Sequence, residues 1–189
     1  MAVPRQLPNA ITIVRIVCAP VFLWMLLADA GHDGALRWWA AVLFVLAIAT
    51  DGIDGWLARR YELVTDLGKI LDPIADKVIT GCAFVGLSIL GELDWWITIV
   101  VLVREVGITV YRFLVISDHV LAAAWMGKLK TVAQAVALTL ALAPLWTLVG
   151  DWVFWVNGVT MTIAVVLTIA SGVDYVVSEV RGRRGKAAT

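Results

Sequence analysis

Six stretches of this chain are apolar over a length that suits a lipid bilayer better than a soluble core. They run near residues 11–29, 35–58, 72–91, 95–117, 131–149 and 153–177. A helix needs about 20 mostly apolar residues to cross the hydrocarbon region. Composition agrees: 61% of the 189 residues are hydrophobic, against about 45–50% in an ordinary soluble domain, and the mean hydropathy is +0.91. The expectation is an all-α, polytopic membrane protein with six transmembrane helices, built as one membrane domain over 1–180. A basic disordered tail follows over 181–189. Arg5, the apolar run from Ile11 and Ala28-Asp29-Ala30 loosely resemble a signal peptide. The length of the run and Arg15 within it favour a first membrane helix instead.

Charge orients the spans. Arg5, then Arg59, Arg60 and Lys69, then Lys128 and Lys130, then Arg181, Arg183, Arg184 and Lys186 fall on one side. The other side carries Asp29, Asp33, Glu92, Asp94 and Asp151, with Arg37 its only Arg or Lys. The positive-inside rule then places both termini, and the loops 59–69 and 118–130, in the cytoplasm. Trp38, Trp39, Trp95, Trp96, Trp146, Trp152 and Trp155 cluster at the outer ends of the spans, as interfacial anchors do. Lys plus Arg and Asp plus Glu both total 15, so no basic field points to nucleic acid. Cys18 and Cys82 lie in apolar runs and read as buried thiols, with no disulfide framework or ligand cluster.

The impure ends of spans two and three hold the chemistry. Asp51 and Asp54 are spaced i, i+3, and Asp72 and Asp76 are spaced i, i+4, so each pair shares a helix face. The short 59–69 loop lets the two acidic faces meet. Ionisable groups in spans are costly and tend to mark functional sites. Four carboxylates repel one another, and oxygen donors without His or Cys suit hard cations such as Mg²⁺ or Mn²⁺, as one ion or a bridged pair. Gly55 and Ala58 leave room for a flat group against the backbone, Arg59 is placed for a phosphate, and Gly68 allows close backbone approach.

Together Asp51, Asp54, Gly55, Ala58, Arg59, Gly68, Asp72 and Asp76 spell D-x₂-D-G-x₂-A-R-x₈-G-x₃-D-x₃-D. This resembles, at every specified position, the signature of the CDP-alcohol phosphotransferases. Eight fixed positions should arise by chance in such a chain about once in ten million or less. The resemblance implies that Asp51, Asp54, Asp72 and Asp76 ligate two divalent ions, with Asp76 also the general base. It implies CDP-diacylglycerol as donor, its cytidine against Gly55 and Ala58 and its pyrophosphate near Arg59. Asn9, Thr12 and Thr65 match further nucleotide or phosphate contacts. It also implies a homodimer in the cytoplasmic (inner) membrane, with the active site facing the cytoplasm.

The acceptor must be read from other residues, because the signature serves only the shared donor. Pro8-Asn9-x-x-Thr12-x-x-Arg15, Arg104-Glu105 with Arg112, and Gly127-Lys128-x-Lys130-Thr131-x-x-Gln134 are similar to the phosphatidylglycerophosphate synthases of that family. Glycerol 3-phosphate is the acceptor this implies. Arg112, Lys128 and Lys130 approach the expected cytoplasmic mouth and suit its phosphate. Positive-inside anchoring explains Lys128 and Lys130 equally well. Arg104 joins the same set, although its place beside Glu105 reads first as a structural pair orienting the site. Phosphatidylglycerol (as in a cardiolipin synthase), inositol phosphate and serine remain alternative acceptors. An ion channel or transporter is the alternative of a different class, disfavoured because the acids gather at one end.

Overall fold

The computed structural model describes the backbone of residues 7–60, 66–114 and 123–187, and the side chains of 10–50, 71, 74–111, 125–178 and 180. Its described residues form seven helices and no strand: α1 (Leu7–Asp29), α2 (Ala35–Arg60), α3 (Asp66–Ile89), α4 (Trp95–Leu114), α5 (Ala123–Leu142), the short α6 (Trp146–Val149) and α7 (Trp152–Ala187). The all-helical expectation is met.

Several helices begin or end beyond their hydropathy boundaries. The backbone stays helical past the apolar residues, because Asp, Lys and Arg are tolerated in helices while hydropathy registers only the apolar part. Thus α3 starts at Asp66 and not near 72, and α5 starts at Ala123 and not near 131. The stretch expected to continue to 149 breaks after Leu142, where Pro144 has no N–H and its ring would clash with the preceding turn. Helix α7 runs on to Ala187, so 181–187, expected as a disordered tail, continue that helix.

Local signals close the turns. Asp29 ends α1 and its Oδ1 accepts the Gly34 N–H at 3.1 Å. Helix α3 closes in a Schellman arrangement: the Glu92 N–H donates to Leu87 O at 2.9 Å and the Gly91 N–H to Ser88 O at 3.1 Å. Gly91 holds φ +74° there, a conformation that a Cβ disfavours.

The bundle is assembled from α1 lying along α2 and α3, and from α5 lying along α7. Contacts of α2 and α3 with α5, and of α4 with α3 and α7, join the two parts. Phe22, Leu26, Phe44, Phe84, Leu87, Leu138 and Leu142 fill the core. At Gly86 an added Cβ would lie 2.7 Å from Leu26 Cδ2 and 3.1 Å from Leu23 Cδ1, so the missing side chain sets the distance between α1 and α3.

Polarity is inverted relative to a soluble protein. Ile13, Val17, Trp24, Val103, Val132, Val159, Val166 and Val173 are exposed, whereas Arg15, Arg37, Glu105, Lys130 and Gln134 are buried. Interior hydroxyl and amide groups bond across helices: Ser88 to Thr98 at 2.7 Å and Gln134 Nε2 to Thr168 Oγ1 at 2.8 Å. Continuous apolar exteriors with hydrogen-bonded polar interiors suit a lipid solvent. Among the described residues two segments are each long and apolar enough to span it, Ala10–Asp29 and Trp152–Ser178. The chain is a membrane protein. Cys18 and Cys82, expected to be buried, are both free and half-buried.

Arg37, the exception in the charge pattern, is wholly buried and neutralised. Its Nη1 and Nη2 donate to Glu92 Oε1 and Oε2, each at 2.5 Å, and Asp33 Oδ1 lies 3.5 Å from Nη1. Arg37 Nε donates to Leu142 O and Nη2 to Ala141 O, both at 3.1 Å. The guanidinium carbon sits 4.8 Å from the Trp146 ring centre. Trp146, read from sequence as an anchor, is half-buried and donates its Nε1 hydrogen to Asp33 Oδ2 at 2.8 Å. Trp39, Trp95, Trp96, Trp152 and Trp155 are exposed, as anchors require.

Candidate active site

The signature residues follow the chain from one helix to the next. Asp51, Asp54, Gly55, Ala58 and Arg59 lie on the last turns of α2, and Gly68, Asp72 and Asp76 on the first turns of α3. Both helices meet the 61–65 connection at this end, so the backbone brings the two acidic segments to one end of the bundle. The side chains of Asp51, Asp54, Gly55, Ala58, Arg59, Gly68 and Asp72 lie outside the described residues, as do those of Asn9 and Arg112, and all of Thr65. Among the described residues no group of three or more His, Cys, Asp or Glu forms a metal cluster. Thr12 is buried on α1.

Asp76 is described, and it opens onto a cavity of about 590 Å³. Four helices wall this cavity: α3 with Asp76 and Lys77, α4 with Arg104, Glu105, Ile108 and Thr109, α5 with Gly127, Lys128 and Lys130, and α7 with Ser171 and Tyr175. Of the acceptor residues expected from sequence, Arg104, Lys128 and Lys130 therefore share one cavity with the expected base.

The three cations occupy different settings. Lys128 is exposed at the mouth. Lys130 is buried, and its ammonium donates to Glu105 Oε1. Anchoring to headgroups, one of its two readings, needs an exposed ammonium and does not fit. Arg104 Nη1 donates to Glu105 Oε1 at 2.9 Å and Nη2 to Ser171 Oγ at 2.9 Å, so the expected Arg104–Glu105 pair is present. The buried Arg104 Nε has no hydrogen-bond partner among the described residues.

Sequence reading missed Lys77. Its Nζ donates to Glu105 Oε2 at 3.3 Å, across from α3 to α4. Glu105 thus collects three cations from three helices. The only sequence signal was a lone acid inside span four beside an arginine, which demands partners without naming them.

Among the described residues, three cations on one carboxylate leave an excess of two positive charges in a partly enclosed space, and Lys128 and Asp76 add one charge of each sign to its lining. Such a space favours an anion rich in oxygen acceptors, and the guanidinium and ammonium donors suit a phosphate. Asp76 beside it can accept a proton from a hydroxyl group carried by that anion. The arrangement therefore fits proton abstraction from a phosphorylated alcohol.

A CDP-alcohol phosphatidyltransferase family model matches residues 5–170. The chain is 45% identical over 176 residues to a protein of Mycobacterium tuberculosis (strain H37Rv) named a probable phosphatidylglycerophosphate synthase, covering 93% of this chain and 82% of that one. It is 35% identical over 181 residues to the CDP-diacylglycerol--glycerol-3-phosphate 3-phosphatidyltransferase of Bacillus subtilis (strain 168), covering 90% and 93%. With the protein of that name from Shigella flexneri it shares 33% identity over 176 residues, covering 90% and 92%. With the signature complete and the match covering residues 5–170, the chain belongs to the CDP-alcohol phosphatidyltransferase family.

Proposed function

We propose that the protein transfers the phosphatidyl group of CDP-diacylglycerol to glycerol 3-phosphate, giving phosphatidylglycerophosphate and CMP. The observation that carries this reading is the cationic cavity beside Asp76, whose excess of two charges matches a phosphate monoester. The names of the relatives from Bacillus subtilis and Shigella flexneri support the same donor and acceptor.

In this reading the acceptor's phosphate lies among Arg104, Lys128 and Lys130, with Arg112 at the cytoplasmic end of the fourth span. Its C1 hydroxyl faces Asp76, which takes the proton as the oxygen attacks the phosphorus next to diacylglycerol. The bond from that phosphorus to the oxygen of CMP breaks, and CMP leaves with the bonding electrons. Cytidine rests against Gly55 and Ala58, with Arg59, Gly68, Asn9, Thr12 and Thr65 along the nucleotide and its phosphates. Holding both reactants in one geometry supplies much of the acceleration.

The donor set fits a hard cation, being four carboxylates from adjoining helix ends. Asp51, Asp54, Asp72 and Asp76 would hold Mg²⁺ or Mn²⁺, as two ions. Bound there, the ions supply charge neutralisation at the phosphoryl oxygens. The wider arrangement we propose is six transmembrane spans with cytoplasmic termini, in a homodimer of the inner membrane whose site faces the cytoplasm. The inverted polarity and the charge pattern support the spans and their orientation.

The test is CMP release by the purified protein in detergent, given CDP-diacylglycerol, Mg²⁺ and, separately, glycerol 3-phosphate, inositol phosphate, serine or phosphatidylglycerol. Release with glycerol 3-phosphate alone is the expected result. Release with another member of the panel instead would reject the acceptor reading. Silence from folded protein with all four would reject the enzyme reading.

A further inference from the structure

The reaction just described gives Glu105 no step. It is nonetheless buried at the back of the cavity, with Lys77 from α3, Arg104 from α4 and Lys130 from α5 all bonded to its two oxygens. A second tie continues the array, since Arg104 Nη2 donates to Ser171 Oγ on α7, whose hydroxyl donates onward to Thr168 O at 3.0 Å. One side chain therefore connects three helices and, through Arg104, a fourth.

We infer that Glu105 is a positioning residue that fixes the number and placement of the cations meeting the acceptor's phosphate. This rests on the reading of the cavity as the acceptor site. Without a central anion, three cations packed this closely would repel one another at low effective dielectric and swing apart. With it they stand in one array before any acceptor arrives, so binding costs little reorganisation. The charge left over is two, which a phosphate monoester supplies near neutral pH, since its second pKa is about 6. An alcohol without a phosphate leaves that charge uncompensated, so Glu105 also sets the class of acceptor.

The experiment uses the full chain in detergent and reads apparent KM for glycerol 3-phosphate and for CDP-diacylglycerol separately. Glu105→Gln keeps the shape and removes the charge. Its acceptor KM is expected to rise about tenfold or more while the donor KM stays within about twofold. Glu105→Asp keeps the charge but is one methylene shorter, and should recover part of the acceptor KM. A purely structural role would move both constants, or lower the folded fraction, without rescue by aspartate. An acceptor KM that is unchanged or lowered in Glu105→Gln would overturn the proposal. If that variant fails to fold, Glu105→Asp decides alone: its acceptor KM should rise about threefold or more, and no rise overturns the idea. Arg104→Gln and Lys130→Gln separate the two levels. Should neither alter the acceptor KM, the cavity reading itself fails. If both alter it and Glu105→Gln does not, only the positioning role fails.

Discussion

Replacing Arg37 by methionine tests how the end of the bundle away from the cavity is held. The change removes two bonds to Glu92, the ion pair to Asp33, two bonds to the carbonyls of Ala141 and Leu142, and the contact with Trp146. Breaking a buried ion pair by removing one partner costs about 3–5 kcal/mol. The lower end applies, because Glu92 and Asp33 are 31% and 26% exposed and water can reach both once the guanidinium is gone. Methionine also refills part of the volume. A loss of about 3 kcal/mol in a chain of this size lowers Tm by about 6–12 °C. Thermal unfolding in detergent at one scan rate reads the shift, with Arg37→Lys expected between the two because one ammonium cannot serve both carboxylate oxygens and both carbonyls. Adding Glu92→Gln to Arg37→Met should cost less than the sum of the single changes. A Tm drop below about 2 °C, or full additivity, would refute the reasoning. Activity of the surviving folded protein at low temperature should persist, since the clamp joins the α1–α2 and α3–α4 turns to the end of α5 and includes no residue that lines the Asp76 cavity.

Three further outcomes are expected. Asp76→Asn should keep the fold and lower CMP release by about 10²–10⁴-fold, as loss of a general base does; near wild-type turnover would remove that role. Arg112→Ala should raise the acceptor KM more than the donor KM, and the reverse pattern would move Arg112 to the nucleotide side. Gly86→Val should destabilise by about 1–3 kcal/mol, because its side chain meets the buried Leu26, and a Tm equal to wild type would show that α1 and α3 can separate without cost.

Much of the cavity could be anticipated from short-range pattern. Asp76 belongs to the family signature, Arg104, Lys128 and Lys130 to shorter motifs that resemble one branch of the family, and all four share one space. Lys77 was passed over because a lysine at a span end usually reads as an anchor. Its bond to Glu105 joins residues 28 apart in sequence, which nothing local announces. Trp146 was misread for the same reason: an indole at an interface and an indole under a guanidinium look alike until the helices are packed.

What the amino-acid sequence determined by itself is whatever depends on neighbours within a few residues. Twenty-residue apolar runs dictate helices in lipid, Gly91 and Pro144 dictate where two of them stop, and the D-x₂-D-G spacing dictates which residues ride together on a helix. The tertiary structure decided the pairings. Arg37 reaches a carbonyl 105 residues away, and Glu105 draws cations from positions 28 residues before it and 25 after it. The physical reason is that a buried charge must find a counter-charge, but many were available in sequence. Only the crossing of α3, α4 and α5 brings Lys77, Arg104 and Lys130 within bonding distance of one carboxylate, and so turns three isolated cations into a phosphate-sized field.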